Sequence, residues 1–234
     1  MTREIVLDTE TTGLAANGGD RLVEIGCIEL ANRIATGRVF HQYLDPQRDM
    51  PEEAFKIHGL SSDFLRGKPL FADVVEEFLT FVGDATLVIH NASFDMGFIN
   101  AELARVRRPP IPMDRVVDTL QLARRKHPGS PSSLDALCRR YQIDNSARTK
   151  HGALLDSELL AEVYVELLGE RQATLRLASI GSDERSALGH AAEAQKRPKP
   201  LAPRLTPEEI EAHKGFVESL GDAAAWKQYS PEGA

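Results

Sequence analysis

The chain has 234 residues, 42% of them hydrophobic and 27% charged, with a formal net charge of −7. This suits a soluble globular core with a tail, and no apolar run is long enough to cross a bilayer. The acidic balance argues against holding nucleic acid by blanket phosphate neutralisation, so any such contact must be local. The N-terminus, MTREIVLDTE, enters a strand-like segment at once and lacks the zones of a signal peptide, which makes the cytoplasm the expected location.

Residues 3–9 (REIVLDT) read as a buried strand. A turn-rich stretch through Gly13, Asn17, Gly18 and Gly19 follows, then strands near 21–30 and 38–44, the pattern of an antiparallel meander. Helical periodicity covers residues near 51–58 and 71–82. The short strand Leu87-Val88-Ile89 leads into a helix near 93–106, and Val116-Val117 leads into another over 119–126. Two more helices, near 133–141 and 153–168, complete the region. Strands first, then alternating strands and helices, predict an α/β fold with a mixed sheet covered by helices. Cys27 and Cys138 fall in apolar-periodic segments without CxxC spacing and read as reduced, packed thiols. The basic groups Arg105/Arg107/Arg108, Arg124/Arg125/Lys126, Arg139/Arg140 and Arg148/Lys150 lie near helix ends, where they could complement helix dipoles or meet phosphate.

Beyond about residue 178 the composition shifts, so the expected organisation is a core over 1–178, a linker over 179–206 and a flexible C-terminal tail over 207–234. The linker carries Pro198, Pro200 and Pro203, interleaved with basic residues, and reads as partly extended. A tail helix starts with Thr206 as N-cap, Pro207 at the first helical position, Glu209 completing a capping box, and Leu205 facing Ile210 as a hydrophobic staple. Gly221 would end it, leaving Trp226 and Tyr229 with little chain to bury them.

The chemistry lies in carboxylates. In a strand, Val6, Asp8 and Glu10 share one face, so two acids converge at one strand end. About 4 Å apart they repel by roughly 4 kcal/mol at an effective dielectric of 20, and a cation, a proton or full solvation must compensate. If the strand ended at Leu7, both acids would instead be wet loop residues. On a helix from Ser93, Asp95 falls between Phe98 and Ile99 and interrupts an apolar stripe. Phe94 and Phe98 read first as core and second as an apolar wall for a base. Asp156 sits on the midline of the Leu159, Leu160, Val163, Leu167 stripe, where a lone carboxylate would be costly to bury and a bound cation explains it better. His151 would lie about 140° from Asp156 were both helical, so it is expected on the preceding loop, leaning over the site rather than ligating beside Asp156.

The segments I5-V-L-D-T-E-T-T-G13, H90-N-A-S-F-D-M-G-F98 and H151-G-A-L-L-D156 together resemble, in order and spacing, the three motifs of the DEDDh 3′→5′ exonuclease family. The likeness is greatest to its epsilon branch, the proofreading subunits of bacterial DNA polymerase III. It implies a ribonuclease H-like sheet, Asp8, Glu10, Asp95 and Asp156 as the metal-binding acids, and His151 as the catalytic base. Two Mg²⁺ or Mn²⁺ ions would clamp the scissile phosphate, with Asp8 bridging, Glu10 and Asp156 on the water side, and Asp95 in support. Asp8, Glu10 and Asp156 would thereby also face the substrate. The segment P51-E-E-A-F-K-I-H-G59 is similar to a further family element, which implies Glu53 and His58 as contacts to the terminal nucleotide. The substrate implied is a single-stranded or frayed 3′ end of DNA.

Q172-A-T-L-R-L177 resembles a sliding-clamp-binding pattern through Gln172, Leu175 and Leu177, although it could equally continue the last helix. The capped tail helix resembles the region by which epsilon subunits bind the polymerase alpha subunit, a tether that would raise the local concentration of enzyme at the primer end. The resemblance leaves open a small third core subunit. A free-standing exonuclease trimming RNA or oligonucleotides is the nearest alternative. A non-catalytic adaptor would not need the complete set of four acids and the histidine.

Overall fold

The computed structural model describes residues 2–169 and 205–221. The chain divides into two units, Met1–Leu175 and Arg176–Ala234, and every described strand lies in the first. Strands β1 (Arg3–Thr11), β2 (Leu22–Ala31) and β3 (Ile34–Tyr43) form the expected meander. Strand β4 (Thr86–Ile89) lies parallel to β1 and β5 (Val116–Asp118) parallel to β4, giving the order β3-β2-β1-β4-β5. Asn32 and Arg33, with φ of 49° and 66°, make the tight β2–β3 hairpin, since two left-handed residues match the twist of paired strands.

Helices α1 (Glu52–His58), α2 (Ser62–Leu65) and α3 (Phe71–Val82) separate β3 from β4. Helix α4 (Ala92–Arg105) follows β4, and α5 (Thr119–Lys126), α6 (Leu134–Tyr141) and α7 (Ala153–Leu168) follow β5. Asp118 caps α5 by accepting the Leu120 N–H at 2.9 Å, and Ser133 caps α6 through the Ala136 N–H at 3.3 Å. Helix α2 was not anticipated, because four residues are too few to show a helical period. Strand β3 begins at Ile34 rather than near 38: its first six residues are exposed and show no alternation, and pairing with β2 carries them.

The sheet separates two apolar layers. Ile5 and Leu7 of β1 pack with Phe78 of α3 and Phe98 and Ile99 of α4. Val6, from the opposite face, packs with Leu137 of α6 and Leu160 and Val163 of α7. Cys27 and Cys138 are buried and free. No helix among the described residues is long and apolar enough to cross a membrane.

In the second unit, helix α8 (Pro207–Ser219) starts as expected, with Thr206 Oγ1 accepting the Glu209 N–H and the Glu209 carboxylate accepting the Thr206 N–H at 2.8 Å. Leu205 and Ile210 remain 61% and 40% exposed, so the anticipated staple shields little. The clamp-motif residues Gln172, Leu175 and Leu177, most of the linker, Trp226 and Tyr229 lie outside the described residues.

One glycine sets how closely α7 approaches the sheet. A Cβ on Gly26 would lie 2.3 to 2.4 Å from backbone atoms of Ala153 and Leu154, and the Ser157 hydroxyl donates to the Gly26 carbonyl at 3.0 Å. Gly26 is also the β2 partner of Asp8, so the missing side chain lets the start of α7 reach the acidic end of β1. Gly26→Ala forces helix backbone off sheet backbone and should destabilise the fold by at least about 2 kcal/mol in urea unfolding; an unchanged midpoint would contradict this close approach.

Candidate active site

Strand alternation carries β1 into the site. Asp8 and Glu10 continue the face of Val6, toward α7, whereas Thr9 continues the face of Ile5 and Leu7, toward α4. Thr9 Oγ1 donates to Asp95 Oδ1 at 2.7 Å, which ties the first turn of α4 to the strand end. Asp156 lies in the first turn of α7, where the helix dipole favours a carboxylate. The acids therefore reach one strand end from both layers of the fold.

Asp8, Glu10, Asp95, Asp156, His151, Glu53 and His58 all line one open cleft of about 1010 Å³. Glu10, Asp95 and Asp156 are buried within it, and Asp8 is half-buried. Glu53 is exposed on α1, and His58 is buried at the end of that helix. The His58 Nδ1 accepts the Leu60 N–H at 3.0 Å, leaving Nε2 buried without a partner in hydrogen-bonding geometry. Ligand atoms of Glu10, His151 and Asp156 lie within 4.8 Å of one another.

His151 does sit on the loop before α7, half-exposed, with its backbone N–H on the Ile57 carbonyl at 3.2 Å. It leans over the site as expected, but the expectation that it would not lie beside Asp156 is corrected: Nδ1 lies 3.3 Å from Asp156 Oδ2. The helical angle does not apply to a residue outside the helix, and the extended Gly152 (φ −163°, ψ 126°) turns the loop back over the first turn. Phe98 is core, as read first, while Phe94 packs on it at 5.0 Å and reaches the cleft wall.

Crowding these acids together perturbs them. Burial, reinforced by the charges of Asp95, Glu10 and Asp156, holds the Asp8 carboxyl well above the ordinary carboxylate range. Glu10 is pushed up to about 8 by burial and then by Asp156 and Glu24. Asp95 rises to about 7 through burial, against the Thr9 hydrogen bond. Asp156 behaves oppositely: burial would raise it, but hydrogen bonds and charge from Arg148, aided by His151, hold it below the ordinary range. Three carboxyls thus carry a strong demand for positive charge, and Arg148 meets it locally for the fourth. Oxygen donors of this kind suit hard divalent cations, so the residues fit such an ion.

Sequence reasoning missed three residues that shape the site. Arg148 makes a two-pronged bond to Asp156, with Nε to Oδ1 at 2.5 Å and an Nη to Oδ2 at 2.6 Å. The only sequence signal was a cation three residues before His151, and helix-end reasoning, which does fit Lys126 on the last carbonyls of α7, gave it no special place. Glu24 lies opposite Glu10 across β1 and β2, buried and paired with His41 at 2.7 Å; its signal was an acid in an apolar-rich strand, one that Glu29 of the same strand shares. Thr9 was visible only as the residue between two acids.

The family model described as "Exonuclease" matches residues 5–164. The DNA polymerase III subunit epsilon of Rickettsia typhi is 47% identical over 221 residues, covering 93% of this chain and 96% of that protein. The subunit of the same name from Salmonella typhimurium is 46% identical over 243 residues, covering 97% and 98%. Among solved structures, exonuclease X in complex with 5′ overhanging duplex DNA superposes with a TM-score of 0.55 at 26% identity, over 71% of this chain and 91% of that one. With a cleft that gathers four acids and a histidine, and relatives aligned along nearly its whole length, the chain belongs to the DNA polymerase III epsilon-subunit family of exonucleases.

Proposed function

We propose that the chain is a metal-dependent 3′→5′ exonuclease that removes mispaired nucleotides from DNA 3′ ends as the proofreading subunit of a replicative polymerase, working in the cytoplasm. The observation that carries this reading is the convergence of Asp8, Glu10, Asp95, Asp156 and His151 on one cleft at the end of β1. Asp8, which feels the charge of all three other acids, would hold divalent metal together with Glu10 and Asp156, with Asp95 in support from α4. Two Mg²⁺ or Mn²⁺ ions, when bound, supply Lewis-acid charge to the water and to the leaving 3′ oxygen.

The remaining work falls to the chain itself. His151 takes the proton of the attacking water, and its half-exposed ring at the cleft mouth suits a base that must pass that proton to solvent. Glu53 and His58 line the cleft from α1 and hold the terminal nucleotide. Asp8, Glu10 and Asp156 face the same substrate. A cleft of this chemistry needs no basic surface, because the partner polymerase delivers a frayed single strand.

The exonuclease core is taken as residues 1–178, the linker as 179–206 and the tail as 207–234. Helix α8 and its C-terminal cap carry Ile210, Phe216 and Leu220 at 40%, 60% and 47% exposure, apolar groups suited to contact with the polymerase alpha subunit. Gln172, Leu175 and Leu177 contact the sliding clamp.

On 3′-mismatched DNA primers the protein should release mononucleotides in Mg²⁺ and none in chelator. Release from RNA alone would favour the free-standing trimming enzyme, and none under any condition would favour the adaptor. His151→Asn should lower kcat by about 10²- to 10⁴-fold while Mg²⁺-dependent DNA binding persists; wild-type turnover in that variant would remove His151 from the role of base.

A further inference from the structure

The guanidinium of Arg148 occupies a position that the reaction gives no reason for. Its fork takes both oxygens of Asp156, and the same Nη lies 2.7 Å from His151 Nδ1, so it touches two of the three residues whose ligand atoms lie within 4.8 Å of one another. The side chain is only 7% exposed, which shields the contact from solvent and salt. Arg148 is a cation seated among ligands that a divalent cation would use.

Two features let it leave without unfolding the loop. The other Nη is held by Asp135 Oδ1 at 2.8 Å, on α6 and outside the ligand cluster, where the side chain of Asp135 is 43% exposed. The loop backbone is pinned separately, by the His151 N–H on the Ile57 carbonyl. The guanidinium can therefore pivot on Asp135 while His151 and the start of α7 stay in place.

We propose that Arg148 is a built-in competitor for the metal, an internal cation that must be displaced from Asp156 before a divalent ion takes that carboxylate, and that it thereby sets the metal concentration at which the site loads. This rests on Asp156 being a metal ligand. A guanidinium and a divalent ion sharing one buried carboxylate repel each other, and the fork also fixes the carboxylate oxygens away from a new partner. A purely positioning Arg148 would instead orient Asp156 for the ion, and its loss would weaken binding. The two roles predict opposite signs.

The test is calorimetric titration of Mn²⁺ into the full chain, comparing wild type with R148Q and R148K. Removal of the competitor should tighten Mn²⁺ binding by about tenfold in R148Q, ~1.4 kcal/mol. R148K, whose ammonium cannot make the fork, should fall between that and wild type. Thermal melts without metal report whether each variant is folded, and R148K carries the comparison if R148Q is not. Equal or weaker Mn²⁺ binding in the folded variants would overturn the proposal. Absence of Mn²⁺ binding to wild type would overturn the metal reading of Asp156 as well, and this proposal with it.

Discussion

The repulsion among four carboxylates at one strand end is the constraint on which the rest of the structure depends. Two ionised carboxylates about 4 Å apart at an effective dielectric of 20 repel by roughly 4 kcal/mol. The fold pushes Asp8, Glu10 and Asp95 toward their protonated forms and gives Asp156 an arginine. None of this serves stability, since apolar residues at the same positions would pack without penalty. It does keep a site ready to exchange protons and a guanidinium for divalent ions.

The scaffold answers that constraint with close backbone approach and short polar ties. Gly26 lets α7 come down on β2 opposite Asp8, and Thr9 on the other face of the sheet holds Asp95. The helix starts aim favourable dipoles at Asp95 and Asp156, offsetting part of their burial. Glu24, buried and paired with part-exposed His41, lies beside Glu10 on the next strand, so the negative field extends across two strands and raises Glu10 further. Strand ends, helix starts and the loop before α7 are thereby fixed to one another independently of the substrate.

Much of this was legible in the sequence because it depends on local periodicity. The face shared by Val6, Asp8 and Glu10 follows from two-residue alternation, and the acids at Asp95 and Asp156 show as breaks in helical apolar stripes. The boundaries of β3 and the existence of α2 were not legible, because an exposed edge strand and a single-turn helix have no periodic signature. His151 was placed on its loop from the spacing, but its approach to Asp156 was not legible, because the path of a loop has no periodic signature. The pairing of Arg148, noted in the sequence only as a helix-end cation, was not legible for a different reason: its partners Asp135, His151 and Asp156 are brought together by the turn between α6 and α7, and surface arginines near helix ends are common.

If the acids are held in check by protons rather than lost to solvent, binding of metal must expel those protons. Mn²⁺ titration by calorimetry in buffers of differing ionisation enthalpy measures this directly. With Glu10 near 8, Asp95 near 7 and Asp8 also raised, the folded protein holds protons at pH 7 that ordinary carboxylates would have lost. Release of at least about one proton per protein is expected at pH 7, falling as pH rises. Metal binding at pH 7 with no proton release would contradict a site built on mutually repelling, protonated carboxyls.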